Sequence, residues 1–123
     1  MKTVILADPE PGVRQLLRWR LGRAGVPVRE ALTPAAVYAA VSGGRAAAVV
    51  AGEWLAELDG SGLAAAVRAA APHLPIFFFA GHSLPPEVFE LPGVEVYLKP
   101  DGLGALCREL IDLAAGRTPA LAR

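Results

Sequence analysis

The chain has 123 residues, 54% hydrophobic and 20% charged, which suits one folded domain with its own core and excludes a disordered chain. Lys plus Arg and Asp plus Glu number 12 each, so the formal net charge is zero and no bulk pull toward nucleic acid or an anionic membrane exists. The single cysteine, Cys107, cannot form a disulfide within the chain, and every long uncharged stretch is broken by prolines or glycines, so neither a signal peptide nor a membrane span is expected and the cytoplasm is the expected location.

In chain order, "TVILA" (3–7) is a short, β-branched apolar run and reads as a buried strand. "DPEPG" breaks it, and a helix follows with Pro11 in its first turn and Val13, Leu17, Leu21 and Ala24 as its buried stripe. Gly25 stops that helix. "VPVREA" (26–31) is a more polar strand that tolerates Pro27 only at a sheet edge. Thr33 and Pro34 open a second helix, which Gly43 and Gly44 end. "AAAVVAG" (46–52) is a buried strand, "EWLAELDGSG" a loop, and "LAAAVRAAA" a helix ended by Pro72. "PIFFFAG" (75–81) is the most apolar strand, followed by "HSLPPEVFELPG", a loop with a short helix. "VEVYLK" (94–99) is the last strand and "LGALCRELIDLAA" (103–115) the last helix.

Strand and helix thus alternate five times. Apolar strands separated by amphipathic helices imply a parallel sheet covered on both faces. Right-handed crossovers then favour an α/β, flavodoxin-like fold: one doubly wound five-stranded parallel sheet in the order 2-1-3-4-5. Residues 1–116 form that domain, and 117–123 are expected to be a frayed tail. Ligands of such sheets sit past the carboxyl ends of the strands. The residues there are Asp8, Pro9 and Glu10 after the first strand, Gly52 and Glu53 after the third, Ala80, Gly81 and His82 after the fourth, and Lys99 and Pro100 after the fifth.

These residues resemble the receiver domains of two-component response regulators, over nearly the whole chain from "VILADPE" to "CRELIDL". Asp8 matches the first of the family's two acids, Lys99-Pro100 its Lys-Pro pair, and "LDG" (58–60) its acid-glycine pair eight residues past the phosphoacceptor. The resemblance implies a cis Lys99–Pro100 peptide. Pro9 stands where the second acid belongs, Gly52 at the phosphoacceptor, Ala80 at the Thr or Ser, and Val96 at the aromatic that swings on activation. The segment from Ala80 to Lys99 is also shorter than is typical of the family.

The losses have a chemical consequence. Phosphoryl transfer to an acid needs a carboxylate nucleophile and a magnesium ion, which itself needs one or two carboxylates. Gly52 and Pro9 supply neither. The expectation is a degenerate pseudo-receiver with no catalytic residue, with no magnesium, Asp8 being only a weak metal candidate, and with Lys99 paired to Asp8, or to Glu53 if the loop bends back. Glu10 reads as an acid favouring the helix N-terminus. Glu53 and His82 read as solvated loop residues, His73 lies on the other rim, and Cys107 reads as a buried, inert thiol. Trp19 points roughly 140° away from the first helix's apolar stripe, an outer side taken to include Arg14, Arg18 and Arg23.

The function expected is a phosphorylation-independent signalling module of two-component or phosphorelay type, a protein-binding domain rather than an enzyme. Trp19 and Arg18 are candidate partner residues. So are Phe89 and Tyr97, on the face of the fourth helix, fifth strand and fifth helix that the family uses for output or dimers. The partner would be a kinase, a regulator or a second copy, with no membrane and no nucleic acid, and no attached DNA-binding output domain is expected. Two alternatives are a working atypical receiver using a displaced acid with a weak magnesium site, and a small anionic ligand in the vacated pocket.

Overall fold

In the computed structural model, residues 1–52, 54–55, 58–81, 93–99 and 101–117 are described. The elements are β1 (Thr3–Ala7), α1 (Pro11–Arg23), β2 (Val28–Glu30), α2 (Pro34–Ser42), β3 (Ala46–Ala51), β4 (Trp54–Leu55), β5 (Leu58–Asp59), α3 (Gly60–Ala70), β6 (Ile76–Ala80), β7 (Val94–Leu98) and α4 (Leu103–Ala114). Five strands form one parallel sheet in the order β2-β1-β3-β6-β7. Setting aside the small β4–β5 pair, this is the expected 2-1-3-4-5 order. Four helices stand among the described residues; the helix expected between β6 and β7 falls outside them. Of the expected tail 117–123 only Arg117 is described, and it is held to α4 by its Nε, 2.7 Å from Asp112 Oδ1.

Central strands read as unbroken apolar runs because both of their faces are covered. Every residue of β3 and β6 is buried, whereas edge strand β2 leaves Arg29 and Glu30 exposed. One face of the sheet places Ile5, Val49 and Phe78 against Val37, Val41, Leu63 and Val67 of α2 and α3. The other places Leu6, Val50, Phe77 and Phe79 against Leu17 and Leu21 of α1 and Leu106 and Leu110 of α4. Cys107 is buried in this second layer, and burial pushes its thiol pKa up, which keeps it protonated and inert.

Local chemistry sets the helix ends. Thr33 Oγ1 accepts from the Ala36 N–H at 3.1 Å and caps α2. Gly25, at φ 78°, follows α1 with its N–H donating to the Gly22 carbonyl, a left-handed turn that favours glycine. Two local expectations need correction. "EWLAELDG" is not wholly loop, since Trp54–Leu55 and Leu58–Asp59 pair antiparallel. Helix α3 begins three residues before Leu63, because Asp59 Oδ1 accepts from the Gly62 N–H at 2.9 Å and caps it earlier. No helix among the described residues is long and apolar enough to cross a membrane.

Candidate functional site

The parallel strands end together, so Asp8, Gly52, Ala80 and Lys99 share one edge of the sheet. The Lys99 N–H donates to the Ala80 carbonyl at 2.7 Å, fixing where the lysine leaves β7. Its side chain then crosses toward β1. The ammonium stands 3.4 Å from Asp8 Oδ2 and 2.9 Å from Glu10 Oε1, and lies 5.5 Å from the Phe79 ring centroid. The expected Lys99–Asp8 pair is present. The Glu10 contact was missed: Glu10 does occupy the N-cap of α1, but its side chain caps nothing and reaches Lys99 instead. Glu53, Pro100, His82 and Phe89 lie outside the described residues.

Asp8 is fully buried. Its Oδ1 accepts from the Glu10 N–H at 2.9 Å, an Asx-type turn across Pro9. Its Oδ2 faces the ammonium as an ion pair, yet off the line of a hydrogen bond, and has no other partner among the described residues. Burial raises the Asp8 pKa, outweighing the Glu10 N–H and the Lys99 charge, which lower it. Burial alone would lower the Lys99 pKa, but the Glu10 hydrogen bond and the Asp8 charge reverse this and raise it.

Gly52 is not open space. A Cβ placed there would stand 3.0 Å from Pro9 Cδ and 3.2 Å from both Asp8 Cγ and Oδ1. Pro9 and Asp8 have closed over the position, so the room expected beside Gly52 is already taken. Ala80 is buried and carries no hydroxyl. Magnesium fits these residues poorly. Asp8 gives one oxygen to a backbone N–H and faces a cation with the other, and no group of three His, Cys, Asp or Glu among the described residues could hold a metal.

The outer residues divide differently from the expectation. Trp19 is exposed, with the Arg23 guanidinium 4.9 Å from its ring centroid. Arg14 does not share that side: five residues from Trp19, it sits about 140° around the helix. Its Nη1 donates to the Asp8 carbonyl at 2.9 Å and its Nε to Glu30 Oε1 at 3.1 Å, tying α1 to β2 behind the site. Arg18 pairs with Glu30 at 3.6 Å. Tyr97 is half-buried against Phe77, and its hydroxyl donates to Glu95 Oε2 at 3.1 Å. Burial first, and the Glu95 charge second, push its pKa up to about 12. Val96 packs on the opposite face with α2 and α3, while Leu98 is the exposed apolar residue of this edge strand.

Comparison with solved structures places this architecture. A response regulator receiver protein of Sinorhizobium medicae matches with a TM-score of 0.76 at 24% identity, covering 95% of this chain and 97% of that one. A Francisella response regulator receiver domain matches with a TM-score of 0.77 at 16% identity, covering 94% and 98%. The receiver domain of a Pseudomonas aeruginosa sensor histidine kinase, which has magnesium in its active-site cleft, matches with a TM-score of 0.72 at 17% identity, covering 89% and 97%. No family model matches the chain, and no curated protein matches its sequence. The fold is therefore the receiver fold, and what stands at its strand ends is a buried Asp–Lys pair over a glycine.

Asp8→Asn is expected to raise the melting temperature at pH 7 by a few degrees, about 1 kcal/mol. The asparagine Oδ1 can still accept from the Glu10 N–H, and Lys99 keeps Glu10. An acid whose folded pKa is raised loses stability as pH rises from its ordinary 3.8 through the folded value. The gain should therefore shrink to nothing as the pH falls toward 3. Thermal melts at three pH values check this; a variant less stable than wild type at pH 7 would show that the charge is a net benefit.

Proposed function

We propose that the chain is a receiver-like signalling module of two-component or phosphorelay type that works without phosphorylation, by binding a protein partner in the cytoplasm. The partner is a kinase, a regulator or a second copy, and the chain itself is not an enzyme. The observation that carries this reading is the closure over Gly52. Pro9 Cδ and the Asp8 carboxyl would stand 3.0 Å and 3.2 Å from a Cβ at Gly52, where a phosphoacceptor side chain would have to leave the backbone. Lys99, which would meet a phosphoryl oxygen, has two carboxylates within ion-pair reach. A domain in this state keeps its surfaces fixed, and fixed surfaces suit constitutive binding. The reading of a small anion in the vacated pocket gains less, because Pro9 and Asp8 fill the space beside the glycine.

The test is intact-mass measurement after incubation with acetyl phosphate and magnesium, paired with amide chemical-shift maps with and without beryllofluoride. No adduct and no movement at Asp8, Gly52 or Lys99 is the expected result. A stoichiometric phosphoryl adduct on an aspartate or glutamate would overturn the reading.

A further inference from the structure

A second candidate site lies on the outer side of the α1–α4 layer. A groove of about 550 Å³ runs between these helices, lined by Trp19, Arg20 and Arg23 from α1 and by Gly104, Cys107 and Arg108 from α4. It shares no residue with Asp8, Glu10, Gly52 or Lys99, so either site can fail without the other. We propose that this groove binds a nucleoside polyphosphate, with its phosphates on Arg20, Arg23 and Arg108 and its base against Trp19.

Charge is the first argument. The chain is balanced at 12 basic and 12 acidic residues, yet the groove is lined by three arginines and no carboxylate. None of the three makes an ion pair among the described residues, in contrast to Arg14 and Arg18, which share Glu30. Asp112 of α4 pairs with Arg117. Three exposed guanidinium groups held along one cleft form an anion site, because each presents a planar fork that matches phosphate oxygens. Arg20 and Arg108 also lower the Cys107 pKa through charge, which places both above the same apolar floor.

Shape and the aromatic ring are the second argument. Trp19 is 57% exposed although Arg23 lies over its ring, so much of the indole remains open for stacking. Gly104 adds no side chain to the groove wall beside Arg108. The volume lies in the roughly 300–1,000 Å³ range of small-ligand sites. An open groove with one aromatic and three arginines fits one base and a short phosphate chain better than it fits an acidic helix, which would need a longer apolar seam.

The experiment is a titration of the isotope-labelled full chain with ATP, without metal and at low salt, followed by amide and indole chemical shifts. Saturable movement of the Trp19 indole N–H and of the Arg20, Arg23, Gly104 and Arg108 amides is expected. Sodium tripolyphosphate and adenosine should each bind about tenfold more weakly or worse. The double variant R20E/R23E should weaken ATP by about tenfold or more while keeping the dispersion of a folded chain, and R20K/R23K should retain part of the binding. Trp19→Ala should abolish the preference for ATP over tripolyphosphate. Movement confined to Lys99 and Glu10, no movement at millimolar ATP, wild-type affinity in R20E/R23E, or a polyglutamate peptide shifting the groove signals where ATP does not, would each overturn the proposal.

Discussion

Lys99→Met is expected to lower the unfolding free energy by roughly 2–3 kcal/mol at pH 7. Methionine keeps the length of the stem that runs past Phe79, so the change isolates the charge. What it leaves is a carboxylate of 1% exposure whose Oδ2 has lost the ammonium that faced it. Stripping a fully buried ion pair of one partner costs about 3–5 kcal/mol, and the 17% exposure of the lysine side chain admits some solvent, hence the smaller figure. Glu10 contributes little to the loss, because its side chain is 64% exposed and can turn to water. The deficit should depend on pH. Asp8 already holds its proton more tightly in the folded chain than its ordinary 3.8 implies, and removing Lys99 strengthens that hold. The folded state then binds more protons than the unfolded one, so the penalty opens as pH rises above about 4 and nearly vanishes below it. Urea unfolding at pH 3.5 and pH 7 measures this directly. The double variant D8N/K99M should recover most of the loss, a coupling that independent sites would not show. Equal deficits at both pH values, or strict additivity in the double variant, would place the effect in packing instead.

The strand order was legible because burial on two faces leaves a strong mark. "TVILA", "AAAVV" and "IFFFA" contain nothing charged, and the observed strands differ from the expected ones only at their ends. Parallel order then brings distant strand ends to one edge, which made the Lys99–Asp8 pair readable across β6 and β3. Glu10 left no such mark. It meets Lys99 from 89 positions away, and its place beside a helix start has an equally good local explanation. The β4–β5 pair was missed because two-residue strands show no periodicity. Asp59 belongs to the family-like "LDG" and also caps α3, which is why that helix starts earlier than its apolar run suggests. The outer side of α1 does not include Arg14 as expected: at about 100° per residue it falls about 140° from Trp19, on the β2 side where Glu30 waits.

These contacts form one device. Asp8 orients the turn into α1 through the Glu10 N–H, its own carbonyl anchors Arg14, and Arg14 clasps Glu30 on the edge strand. Lys99 brings β7 into the same network. An acidic pocket without a central cation would repel itself. Here the Lys99 ammonium stands within ion-pair reach of both Asp8 and Glu10 and offsets their charge. The bare glycine at position 52 is what permits Pro9 and Asp8 to stand so close to the strand end.

Gly52→Asp therefore tests the account at its narrowest point. The variant is expected to lose roughly 2–4 kcal/mol and to gain no phosphoryl group from acetyl phosphate and magnesium. The first part of the loss is steric. A Cβ at 3.0 Å from Pro9 Cδ and 3.2 Å from Asp8 Oδ1 forces the strand end or the turn to move, and such overpacking costs about 1–3 kcal/mol. The rest is electrostatic, because the new carboxylate enters beside a buried one whose paired ammonium is also engaged with Glu10. Pro9 still withholds the second acid that would seat magnesium. Replacing it as well, in P9D/G52D, removes the closest clash and supplies that acid. Millimolar magnesium should then raise the melting temperature of the double variant, as a ligand that binds only the folded chain must, while leaving wild type and Gly52→Asp unmoved. Quantitative phosphorylation of Gly52→Asp alone would mean that the turn yields easily, and that the pocket was empty rather than closed.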